Sequence, residues 1–147
     1  MENFKISHNK KIKESQLKIK KISNSISNSD LLEFTKLIDF FNLEYKWPEM
    51  FTIQDVNKRI ENKETAFLLY YKNTSIGYVW FKKINENDCF GYNLYVTKKE
   101  KRPAFSPYWF YKNVTDYMLI DYDTIHVEVN EWNYAIIDII KSIGYYK

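Results

Sequence analysis

Hydrophobic and polar positions change period several times along this chain. Leu17, Ile19 and Ile22 stand among lysines in a short alternating run, which predicts a strand over 17–22. Residues 23–29 are rich in Ser and Asn and read as a loop. The period then turns helical: Leu31, Phe34, Leu37, Ile38 and Phe41 follow Asp30 and Glu33, which resemble a capping box. That pattern fades by Tyr45, and Trp47-Pro48 marks a turn. Thr52 and Asp55 open a second helix, reaching about Asn62, with Ile53, Val56 and Ile60 inward. Three apolar runs follow at 66–71, 76–84 and 90–96, joined by short polar connectors as in antiparallel hairpins.

After a charged loop at 98–102, Ser106-Pro107 offers a hydroxyl cap followed by Pro at the first helical position. Phe110, Val114, Tyr117 and Met118 line that helix. Ile125, Val127 and Val129 then alternate with Thr124, His126 and Glu128, predicting a strand over 124–129. A last helix is drawn by Trp132, Ala135, Ile136, Ile139, Ile140 and Ile143, and Gly144 ends it. The predicted order is β-α-α-β-β-β-α-β-α-β, its final strand a stub after Tyr145. This is an α+β chain: an antiparallel meander, then a crossover helix into a strand parallel to its predecessor.

At 147 residues the chain is read as one domain, 17–147, preceded by a loose basic arm over 1–16. Residues 1–29 hold seven Lys against Glu2 and Glu14. The chain has only two Arg, Arg59 and Arg102, which argues against heavy phosphate readout and makes nucleic acid an unexpected partner. A single cysteine, Cys89, excludes an internal disulfide framework and fits a reducing, cytoplasmic setting. It is read as a small core residue, since no basic cluster or His adjoins it to activate a thiolate. His8 and His126 are far apart and no CxxC occurs, so no metal site is expected. No apolar run approaches the ~20 residues of a membrane span, and no apolar segment near Met1 reads as a secretory signal.

Two segments resemble the GNAT superfamily of acetyl-CoA-dependent N-acyltransferases. The tail from Asn133 to Gly144-Tyr145 is similar to that family's N-x-x-A-x-x-x-Y-x-x-x-G-F ending. The strand ending at Val96 is followed by Lys101-Arg102-Pro103-Ala104-Phe105-Ser106, at the distance of the family's [QR]-x-x-G-x-[GA] loop. Lys101 takes the Gln/Arg place, and Ala104 and Ser106 the two small ones. The resemblance implies a mixed, mostly antiparallel sheet with helices on both faces, and acetyl-CoA as cofactor. It also implies a pyrophosphate site at 101–106, where small residues admit the ligand and a helix N-terminus attracts an anion. Pro107 withholds one amide from such a site, and Lys101 and Arg102 offer direct phosphate contact instead. Leu94, Tyr95 and Val96 would pair their backbone with the pantetheine arm. Asn133 would touch the cofactor or cap the last helix.

The departures are specific. Ile140 stands where the family's frequent Tyr acid falls, and Ile136 where it has a small residue. His126 and Glu128 share one strand face, which makes Glu128 a candidate base and His126 its orienter. Tyr95 and Tyr92 are candidate acids, and Asn93 a candidate substrate contact. Trp47, Pro48, Glu49 and Met50 form an aromatic-plus-acid corner where the family builds its acceptor pocket. The expected function is transfer of an acetyl group to an amine of a small molecule or peptide. The alternative is a catalytically inactive binding or assembly protein on the same scaffold. An exposed last strand would suit a homodimer through the C-terminal sheet edge.

Overall fold

A computed structural model describes residues 16–44, 50–97, 107–129, 131 and 133–146. Nine elements follow one another: β1 (Leu17–Ile22), α1 (Asn28–Glu44), α2 (Ile53–Glu61), β2 (Thr65–Tyr71), β3 (Thr74–Lys83), β4 (Asp88–Val96), α3 (Pro107–Asp121), β5 (Thr124–Val127) and α4 (Tyr134–Ile143). This is the expected order through the last helix. The expected stub of strand after Tyr145 does not form among the described residues. Tyr145 packs instead into the core beside α3, where its hydroxyl lies 3.1 Å from that of Thr115. The expected basic arm up to residue 15, the Trp47-Pro48 corner and the loop at 98–106 lie outside the described residues.

The five strands form one sheet in chain order. β1 through β4 are antiparallel, while β5 runs parallel to β4. A parallel neighbour needs a crossover, and α3 supplies it. Two corrections concern local signals. The cap of α1 is Ser27 rather than Asp30: Ser27 Oγ accepts from Asp30 N at 3.2 Å, and its carbonyl from Leu31 N at 2.9 Å. Asp30 therefore sits inside the first turn, its carboxylate engaged by Lys20 Nζ at 2.7 Å and Tyr70 Oη at 3.1 Å. The Thr52–Asp55 capping box of α2 forms as expected. Tyr117, expected inside, lies at the rim of α3, where Lys21 Nζ donates to its hydroxyl at 3.0 Å.

Alternation along the strands divides the core into two. On one face α1 and α2 bury Phe34, Leu37, Ile38, Val56 and Ile60 against Ala66, Leu68, Tyr78, Trp80 and Tyr95. On the other face α3 buries Phe110, Val114 and Met118 against Phe67, Leu69, Val79, Phe81, Cys89 and Ile125. The apolar stripe of α4 is only partly covered: Ile136, Ile139, Ile140 and Ile143 are half-buried. Gly144 ends that helix at φ +121°, a conformation that suits a residue without Cβ.

Candidate active site

The parallel pairing of β4 with β5 is short. It runs from Asp88 opposite Thr124 to Gly91 opposite Val127, and β5 ends there. β4 continues to Val96, paired with β3 on its other side. The point where the pairing of β4 with β5 stops, beyond Gly91, is the fork of the sheet. Among the described residues β5 follows β4 no further than Gly91, and a strand edge of this kind is a template for an extended ligand.

A β-bulge shapes the same stretch. Tyr78 pairs with Tyr95 and Trp80 with Tyr92, so Asn93 and Leu94 together oppose the single residue Val79. Asn93 takes φ +53°, in the left-handed region that Asn tolerates better than most residues. The extra residue resets the alternation. Tyr92 and Tyr95, three apart, would otherwise face opposite sides of the sheet. Both instead join the α1/α2 core, while Leu94 and Val96 join the α3 core.

On the α1/α2 face the fork is lined by chemistry that the sequence named only in part. Phe90 and Tyr92 stack with centroids 5.7 Å apart. Tyr92 donates its phenol to the buried carboxylate of Glu64. Burial first, and then that hydrogen bond, push the Tyr92 phenol well above its ordinary range. Arg59 of α2 lies over three rings, 4.4 Å from Phe51, 4.8 Å from Tyr92 and 5.1 Å from Trp80, and its Nη1 donates to Asn93 Oδ1 at 2.7 Å. Arg59 and Glu64 escaped the sequence reading. The available signals were the scarcity of Arg and the position of Glu64 just before an apolar strand.

Ile125 and Val127 point to the α3 core, so His126 takes the opposite face, the one toward which Glu128 also alternates just past the strand end. Both are exposed. His126 Nε2 lies 3.9 Å from Asp88 Oδ2, so the acid beside it is Asp88 of the neighbouring strand. Tyr95 is 2% exposed, with Phe41 edge-on at 5.5 Å and Tyr78 at 5.6 Å. Leu94 and Val96 lie on the open stretch of β4. Asn133 caps α4, its Oδ1 accepting from Ile136 N at 3.4 Å. Cys89 is fully buried, and its thiol is pushed up to about 11 by burial and then by the Asp88 charge, as befits a core residue. Lys101, Arg102, Ala104, Phe105 and Ser106 lie outside the described residues. The described chain resumes at Pro107, the first residue of α3 as expected. Among the described residues no group of His, Cys, Asp and Glu is arranged to hold a metal ion, and no helix is long and apolar enough to cross a membrane.

No protein-family model matches the sequence, and no curated protein matches it either. Solved structures do match the fold. An aminoglycoside acetyltransferase from an uncultured soil metagenomic sample, in complex with sisomicin, superposes with a TM-score of 0.64 at 16% identity, over 91% of this chain and 97% of that one. Spermidine N-acetyltransferase from Vibrio cholerae, in complex with CoA and spermine, gives 0.66 at 18% identity, over 90% and 82%. An N-acetyltransferase from Campylobacter jejuni gives 0.59 at 14% identity, over 90% and 91%. These neighbours are GNAT acetyltransferases, and the fold of this chain is the GNAT fold.

Proposed function

We propose that this protein is an N-acetyltransferase that moves an acetyl group from acetyl-CoA to an amine of a small molecule or peptide. One observation carries the reading: among the described residues the pairing of β4 with β5 ends at Gly91 and Val127, while β4 runs on to Val96. A pantetheine arm is extended and carries amides, so it fits an unpaired strand edge in length and in hydrogen-bonding character. In this reading Leu94, Tyr95 and Val96 offer main-chain groups to the arm. Lys101, Arg102, Ala104, Phe105 and Ser106, ahead of α3, offer charge and close backbone approach to the pyrophosphate. The bound cofactor supplies an acetyl group activated as a thioester. Glu128, exposed on the acceptor face, takes a proton from the incoming ammonium, directly or through water. Tyr95 contributes main chain, because its ring is enclosed between Phe41 and Tyr78.

Thermal melting with and without acetyl-CoA tests the reading. Ligand at 100 times its Kd adds about 2.7 kcal/mol, which raises Tm by roughly 5–10 °C for a chain of this size. No shift at millimolar acetyl-CoA overturns it. The alternative, a binding or assembly protein that has lost the chemistry, is favoured by Ile140, which offers α4 no proton donor at the family's Tyr position. A full acetyl-CoA shift without acetyl transfer to any amine would select that alternative.

A further inference from the structure

We propose that Arg59 forms a carboxylate subsite beside the fork, so that the accepted amine belongs to a molecule that also carries a carboxylate. The inference rests on the acetyl-transfer reading and narrows its substrate class. Arg59 sits in the last turn of α2, half-buried, with its guanidinium over Phe51, Tyr92 and Trp80. One donor is taken by the neutral acceptor Asn93 Oδ1. Among the described residues no carboxylate pairs with it. Glu61, the nearest acid along the chain, is exposed and two residues on, a spacing that does not face Arg59 on a helix, and two other near acids are committed elsewhere. Asp55, one helical turn earlier, is turned back onto the cap, accepting from Thr52 N at 2.8 Å and Thr52 Oγ1 at 2.9 Å. Glu64 is buried under the Tyr92 phenol.

A guanidinium stripped of part of its water by three rings and oriented by Asn93 is prepared for a planar, doubly hydrogen-bonding anion. Little side-chain freedom is lost when that anion binds, because packing has already fixed the fork of donors. Position agrees. Asn93 lies two residues beyond Gly91, the last β4 residue paired with β5. That separation is about 7 Å along a strand, close to the reach from amine to terminal carboxylate in a dipeptide. The local charge agrees as well. Lys82 Nζ lies 5.2 Å from the Tyr92 ring and 5.3 Å from the Phe90 ring, so a second cation flanks the same aromatic shelf. Glu64, bonded to Tyr92, offsets one of the two cations, and the positive charge that remains disfavours a polycation relative to an amine whose other end is anionic.

The experiment pairs pooled dipeptides with the same dipeptides as C-terminal carboxamides, which differ only in the anion, and adds spermidine as a polycationic acceptor. Each is offered to the full chain with acetyl-CoA, with acetylation read by mass spectrometry and binding by titration calorimetry. The carboxylate pool should be preferred over the carboxamide pool by about 10- to 100-fold, the worth of a charge-assisted hydrogen bond. Arg59→Gln should erase that preference, read as the ratio of the two pools acetylated by one preparation, so that the ratio falls to about 1 whatever the overall rate. Arg59→Lys, which keeps the charge over the rings and guards against a folding defect, should lose most of the preference as well. Equal acetylation of carboxamides, or preference for spermidine, overturns the inference and leaves the acetyltransferase reading standing. Carboxylate binding that needs Arg59, without any acetyl transfer, upholds the subsite and overturns the enzyme. Neither binding nor transfer by any pool overturns both.

Discussion

Replacing Asn93 separates the two things that hold the bulge together, its left-handed backbone and its bond to Arg59. Asn93→Asp keeps the tolerance for φ +53° and the acceptor, and adds a charge facing the guanidinium. Its stability should equal or exceed that of wild type. Asn93→Gly keeps the backbone conformation and loses a hydrogen bond from a charged donor, a loss of about 2 kcal/mol. Asn93→Val loses the same bond and forces a β-branched residue into the left-handed region, adding about 1–2 kcal/mol. Urea denaturation resolves the series, since with a slope near ~2 kcal/mol/M the midpoint should fall by about 1 M for Gly and nearly 2 M for Val. Equal midpoints for Gly and Val would refute the claim of left-handed strain. A Gly midpoint equal to wild type would show that the bond from Arg59 contributes nothing to stability.

Other outcomes follow from single sites. Burial raises the Asp30 carboxyl, but hydrogen bonds from Lys20, Ser27 and Tyr70 outweigh it, so its pKa is lowered in the folded state. Its stabilising contribution is therefore present above the unfolded value near ~4 and is lost as pH falls through the folded value. Asp30→Asn should lose about 1–3 kcal/mol in urea melts at pH 7, and the deficit should shrink as pH falls below about 4; a deficit unchanged with pH would point to packing instead. Iodoacetamide at pH 7.5 should leave Cys89 unmodified in the native protein and alkylate it in urea, because the thiol is buried and pushed up to about 11. Rapid native labelling would contradict its core placement. A Cβ on Gly77 would sit 2.7 Å from the Tyr95 carbonyl oxygen, a backbone atom that moves only with β4. Gly77→Ala should therefore lower stability by about 1–3 kcal/mol and weaken acetyl-CoA binding through the displaced edge; unchanged binding despite that loss would separate the β4 edge from the ligand.

Much of the fold was legible because periodicity reports which side of an element is buried. The alternation at 17–22 and 124–129, and the helical spacing from Leu31 to Phe41, mark elements that form, the strand at 124 ending at Val127, two residues short of the expected end. Signals that depend on one side chain's choice of partner were less secure. Ser27 and Asp30 both carry capping oxygens, and the contest was settled by Lys20 and Tyr70, distant in sequence, which draw the Asp30 carboxylate away. The bulge was hidden for a related reason. Strict alternation puts Tyr92 and Tyr95 on opposite faces, and nothing local to Asn93-Leu94 reveals that one extra residue is spent there. Arg59 was missed because a lone Arg beside inward-facing Ile60 reads as solvated. Its significance comes from Phe51, Trp80 and Tyr92, delivered to it by the loop before α2, by β3 and by β4.

The same reasoning changes what the tail means. Asn133 spends its side chain on the first turn of α4, and Tyr145 spends its hydroxyl on Thr115 of α3. Both are scaffold interactions that fix where α4 starts and how the chain packs after it. A helix beginning at Tyr134, with its cap at Asn133, leaves only a few residues after Val127 to turn the chain. β5 therefore stops while β4, pinned by β3 and its bulge, goes on to Val96. The fork is in this sense a consequence of where α4 is capped. Lengthening the link between Glu128 and Asn133 should let β5 follow β4 further and close the fork. An insertion there that raised thermal stability while abolishing the acetyl-CoA shift would show that the open edge is maintained at a cost in pairing. Retention of the full shift after insertion would place the origin of the fork in the β4 bulge.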